Sequence, residues 1–146
     1  MNLFQRLFRG APAPSAEPAQ SHFQLAEFAC PCCKAVTVDP ALLSALETLR
    51  ALVGHPIVIN SGYRCPKHNA AVGGAPNSQH LAGKAADIRV DGMRGIELYR
   101  LAKTIPAFHG FGLAAGWIHL DVRQGPVSKW TYNQQGRVCA WPEGQE

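Results

Sequence analysis

Two histidines and an aspartate stand where metal chemistry would want them. His80 and Asp87 lie in the run Ser78-Gln79-His80-Leu81-Ala82-Gly83-Lys84-Ala85-Ala86-Asp87, and His119 follows in Ile118-His119-Leu120-Asp121-Val122. Two imidazoles and one carboxylate suit zinc, and three protein ligands leave a fourth corner for water, the pattern of a catalytic site. Calcium would want more oxygens and no histidine. A lone His/Asp pair at this spacing is more often an ordinary packed pair. The length of the motif and its companion His119 weigh towards ligation. Asp121 falls two residues beyond His119 on the same strand face, roughly 6–7 Å along the strand.

The five cysteines are a second cluster of reactive side chains: Cys30, Cys32, Cys33, Cys65 and Cys139. Their odd number excludes complete intramolecular pairing. Three readings stay open. Two or three of the thiols with Cys139 can bind a second, structural zinc; Cys30 and Cys65 can form a disulfide; or the cysteines are simply buried. His22, His55 and His68 have no partner spacing that asks for function; His109 is a further candidate for proton transfer, with a core or surface histidine as the commoner account.

The elements that must position these groups are legible as patterns. Asp39 caps a helix, Pro40 opens it and Gly54 closes it. Leu42, Leu43, Leu46, Leu49 and Val53 give that helix a buried face. A strand is predicted over 56–60, followed by the turn Ser61-Gly62-Tyr63-Arg64, a short helix over 66–72 and a loop over 73–77. His80 is expected in a loop. A strand over 85–90 puts Ala86, Ile88 and Val90 on one face and Asp87 on the other. A helix over 94–105 is stopped by Pro106. A glycine-kinked strand over 108–113 and a clean alternating strand over 117–123 complete the set. Strands and helices mixed without a regular repeat indicate an α+β fold with a small, mainly antiparallel sheet. Trp117, Trp130 and Tyr132 are placed to flank a cleft near His119, but aromatic residues at such spacing are more often core, and they are given no role.

The chain has 146 residues, of which 47% are hydrophobic and 16% charged, with a net charge of +4. One domain with a proper core follows, and wholesale disorder is excluded. Basic residues are scattered, so no nucleic-acid partner is expected, though a mildly basic surface suits an anionic polymer such as a bacterial wall. No apolar stretch approaches the ~20 residues of a membrane span. Residues 1–22 read as a tail with a Pro/Ala-rich linker, 23–140 as the domain and 141–146 as a C-terminal tail. Arg6 and Arg9 interrupt the amphipathic start, so no signal peptide is read.

These motifs resemble the zinc D-Ala-D-Ala carboxypeptidase family, which includes phage L-alanyl-D-glutamate endolysins and murein endopeptidases. The resemblance rests on Ser78-x-His80-x-x-Gly83-x-Ala85-x-Asp87, on the preceding Ser61-Gly62-Tyr63-Arg64, on residues 69–74 (NAAVGG) and on the His119-x-Asp121 ending. It runs from about Phe23 to about Trp130. It implies the Hedgehog/DD-peptidase-like fold, one catalytic Zn2+ on His80, Asp87 and His119, and Arg64 over the site, holding a substrate carboxylate or carbonyl. Many members carry an acid three positions before the last histidine; here that position is Gly116. Asp121 is the candidate general base in its place, with support of a ligand histidine as the alternative. Ser78 is a candidate substrate contact, or only a turn former.

The expected function is a zinc metallopeptidase hydrolysing amide bonds next to D-amino acids in peptidoglycan stem peptides or cross-links. The expected protein is a monomer, made in the cytoplasm and acting at the wall or periplasm, with a phage origin among the possibilities. The alternative is a non-catalytic, zinc-containing wall-binding or interaction module, which Gly116 keeps open. A protease acting on ordinary L-peptides has no separate support.

Overall fold

The computed structural model describes residues 20–146; the amphipathic start and the linker up to Ala19 lie outside the described residues. The helix predicted after Asp39 is α1 (Pro40–Val53). Asp39 Oδ1 accepts from the Ala41 amide at 2.8 Å, and Gly54 ends the helix in the left-handed conformation, φ 71°. Both ends therefore use side-chain and backbone chemistry written in the sequence. Leu42, Ala45, Leu46 and Leu49 are buried.

Six strands form one sheet: β1 (Val58–Ser61), β2 (Ala85–Arg89), β3 (Gly110–Leu113), β4 (Ile118–Asp121), β5 (Ser128–Tyr132) and β6 (Val138–Ala140). Their order is β1-β2-β4-β3-β5-β6. Every pairing is antiparallel except β3 with β5, which is parallel. The helices α2 (Pro66–Ala71) and α3 (Gly95–Ala102) complete the regular elements of the described residues, with 3₁₀ turns at Leu25–Phe28 and Gln79–Ala82. The architecture is α+β with a mixed, mostly antiparallel sheet.

Alternation divides the sheet into two faces. Ala86, Ile88, Ile118, Leu120 and Phe111 join Leu42, Leu46, Leu49 and Leu98 of α1 and α3 in one apolar core. The opposite face carries Asp87, His119 and Asp121, each buried although polar. Trp141 packs on the core as well, its ring 4.8 Å from that of Tyr99.

Several predicted bounds shift. The helix predicted over 94–105 ends at Ala102, and His80 lies in a 3₁₀ turn instead of a loop. β5 and β6 were not predicted. They lie at the sheet's outer edge, where half-exposed or exposed residues blur the alternation that marks a buried strand. Among the described residues, no helix is long and apolar enough to cross a membrane.

Candidate metal centre

Strand register brings the two halves of the motif together. In the antiparallel β2–β4 ladder Asp87 lies directly opposite His119. The row continues through Gly112 on β3 to Trp130 on β5. His80 arrives from the 3₁₀ turn that precedes β2. Ser78 caps that turn, its hydroxyl accepting from the His80 amide at 3.3 Å.

The three donor atoms form a tight triangle. Asp87 Oδ1 lies 3.2 Å from His80 Nε2 and 2.9 Å from His119 Nδ1, and the two nitrogens are 3.2 Å apart. Tetrahedral ligands bound to zinc at about 2.0–2.1 Å would be separated by about 3.3 Å. Two nitrogens and a carboxylate oxygen at these separations fit a single small divalent cation.

Both imidazoles are oriented from behind. His80 Nδ1–H donates to the Gly62 carbonyl at 2.7 Å, which leaves Nε2 facing the triangle. His119 Nε2–H donates to Asp121 Oδ2 at 2.8 Å, which leaves Nδ1 facing it. Asp121 is itself gripped by Arg123, through Nε at 2.8 Å and Nη2 at 2.6 Å. Such backing is the usual company of a ligating histidine, because it sets the tautomer and the ring plane.

The electrostatics agree. Burial pushes the Asp121 carboxyl up, but Arg123 and His119 hold it well below the usual carboxylate range. Burial likewise opposes ionisation of Asp87, and hydrogen bonds from His119 and His80 outweigh it, leaving that carboxyl well below the usual range. Both aspartates are therefore anions at neutral pH. The His119 imidazole is lowered by burial and raised more strongly by Asp121 and Asp87, with a net upward shift.

Arg64 stands over the triangle. Its Nη2 donates to Asp87 Oδ2 at 3.0 Å and its Nε to Ser61 Oγ at 3.0 Å. The site opens into a cleft of about 450 Å³. Arg64, Ser78, His80, Asp87 and His119 all line it, but Asp121 does not. Among the described residues, Asp87 is the only acidic residue of that lining. Position 116 is exposed, and a Cβ there would meet nothing within 4 Å.

The far wall of the cleft is built by the aromatic residues to which sequence reasoning assigns no role, with Arg123 beside them. Trp117, Trp130, Tyr132 and Arg123 all line the cleft. The Trp130 ring lies 5.1 Å from that of His119, Trp117 stacks on Tyr132 at 4.9 Å, and Arg123 sits 5.2 Å above Trp130. The signal available was the β-forming run Ser-Lys-Trp-Thr-Tyr ahead of Asn133 and Gly136. His109, by contrast, serves a loop, its Nδ1 bonding the Gly125 carbonyl at 2.7 Å.

The cysteines divide. Cys30, Cys33 and Cys65 bring their sulfurs together. The reading that added Cys139 is corrected: Cys139 lies on β6, at the opposite edge of the sheet from β1, and is exposed.

A family model described as Peptidase M15 matches residues 21–121. A zinc D-Ala-D-Ala carboxypeptidase from Streptomyces albus G is 37% identical over 67 residues, which are 45% of this chain. The matched stretch spans 25% of that relative's length.

Proposed function

The chain belongs to the peptidase M15 family, and from that premise we propose a zinc-dependent peptidase that hydrolyses amide bonds next to D-amino acids in peptidoglycan stem peptides or cross-links. The observation that carries this reading is the triangle of His80, Asp87 and His119 at the floor of an open cleft. These three residues would hold the ion. Zinc there supplies Lewis-acid activation of water and of the scissile carbonyl. The Hedgehog/DD-peptidase-like fold belongs to the same proposal, supported by a mostly antiparallel sheet with helices on one face. So does action at the bacterial wall, supported by what the Streptomyces relative is named for.

The chain's own residues divide the remaining work. Arg64 is held rigid by Ser61 and Asp87, and its guanidinium fork is suited to a substrate carboxylate or carbonyl oxygen. Trp117, Trp130 and Tyr132 give the apolar faces of a peptide a surface to lie on. Ser78 shapes the turn that carries His80, and its place in the cleft wall supports a further contact with substrate. For Asp121 the geometry favours support of a ligand over the role of base. Its carboxylate meets the His119 nitrogen that points away from the triangle, and it is fully buried.

The experiment is digestion of a defined muropeptide, with products identified by mass spectrometry. Cleavage that is lost with a chelator or in His80→Ala supports the assignment and names the bond. Activity unchanged by both treatments overturns it.

A second reading rests on one observation: among the described residues Asp87 is the only acid lining the cleft, so none of them offers a free carboxylate as a general base. A zinc-containing wall-binding module would bind murein, retain the ion and release no product. The same digestion separates the two readings.

A further inference from the structure

We propose that Cys30, Cys33 and Cys65 form a second metal site, binding a structural zinc ion through thiolates. The three sulfurs lie within 4.8 Å of one another. Thiolates on one tetrahedral zinc, at about 2.3 Å each, are about 3.8 Å apart. Cys32 lies in the same tight turn, between Pro31 and Cys33, and is exposed.

The backbone is folded for ligation. Cys30-Pro31-Cys32-Cys33 has the C-x₂-C spacing of zinc turns. The turn is closed at both ends: the Cys30 amide donates to the Ala35 carbonyl at 2.8 Å, and the Lys34 amide to the Cys30 carbonyl at 2.8 Å. Lys34 takes φ 64°, the sole non-glycine residue in the left-handed region among the described residues. Backbone strain of this kind persists only where the surroundings enforce it. The Cys65 amide donates to the Cys30 sulfur at 3.4 Å. Amide donors of this kind stabilise a thiolate. A disulfide between any two of the three sulfurs would leave the third thiol stranded beside it.

The position of the cluster gives it a consequence. Cys65 directly follows Arg64, and its sulfur caps α2 by accepting from the His68 amide at 3.4 Å. The Tyr63 amide donates to the Phe28 carbonyl at 2.9 Å. An ion on these thiols would staple the 28–35 segment to the 62–65 loop. That loop supplies both the Gly62 carbonyl that orients His80 and the Arg64 that reaches Asp87. The cluster shares no residue with the His80–Asp87–His119 triangle, and the inference stands whatever reaction occurs there.

The test is metal analysis of protein isolated without added reductant from zinc-containing medium, followed by exchange with cobalt(II). The expected wild-type content is two zinc ions per chain. The His80→Ala/His119→Ala double variant should keep one ion and, with cobalt, show intense thiolate-to-metal charge-transfer absorption. Cys33→Ser should lose that absorption. If Cys33→Ser fails to fold, the spectra of the wild type and the double histidine variant still decide. Wild-type protein without thiolate-to-cobalt absorption overturns the proposal. So does an intact mass or peptide map showing a disulfide between any two of Cys30, Cys33 and Cys65.

Discussion

His119 presents Nδ1 to the cleft because its other nitrogen is already engaged. That assignment makes Asp121 testable. If Asp121 only steadies the ring, Asp121→Asn should weaken zinc affinity by about 10–100-fold. Added zinc should then restore much of the activity. If Asp121 moved the proton itself, zinc content would hold while kcat collapsed and excess zinc would not rescue it. Zinc titration beside steady-state kinetics distinguishes the outcomes.

A second prediction at this scale concerns Glu47, which receives Ser21 Oγ at 2.6 Å and His22 Nδ1 at 2.7 Å. Burial raises its carboxyl, and these partners together outweigh that, leaving it below the usual value. A depressed carboxylate contributes stability above the unfolded pKa, about 4.3, and loses it as pH falls through the lower folded value. Wild type should therefore exceed Glu47→Gln at pH 7 by no more than about 1 kcal/mol, and the gap should close in acid. Urea midpoints across pH 7 to 3 check this.

Strand β3 explains why glycines flank the site. Gly110 and Gly112 sit in register with Asp121 and His119 on β4. A Cβ at Gly110 would fall 2.0 Å from Asp121 Oδ2, and one at Gly112 would fall 2.6 Å from Trp130 Nε1. The glycines are thus the space into which a carboxylate and an indole lie. Gly110→Ala should destabilise the protein by about 1–3 kcal/mol. It should also reduce zinc affinity by displacing Asp121 from His119. Denaturant unfolding with zinc titration reads both effects; normal zinc affinity in Gly110→Ala would refute the packing argument.

The molecule keeps stability and chemistry on opposite faces of one sheet. Leu46 is fully buried on the helical side, remote in packing from the metal triangle. Leu46→Ala should cost about 2–5 kcal/mol of stability. At temperatures where the variant remains folded, its kcat and zinc content should match wild type. Thermal unfolding and activity measured on the same preparations test this separation; a large loss of kcat in the folded variant would show that the two faces are coupled.

Residue order alone was enough to place the helix after Asp39, the alternation of β2 and β4, and the grouping of His80, Asp87 and His119. Each follows from local rules: a cap and a 3.6-residue period, a two-residue period, and a ligand set of known chemistry. It also left the Asp121 question open in the right terms. Only the tertiary structure decided that Asp121 lies behind His119, that Trp130 and Tyr132 close the cleft, and that Cys139 stands apart from the other thiols. Those facts depend on strand order and register, above all the parallel β3–β5 pairing, and cross-strand neighbours far apart in the chain leave no periodic trace along it.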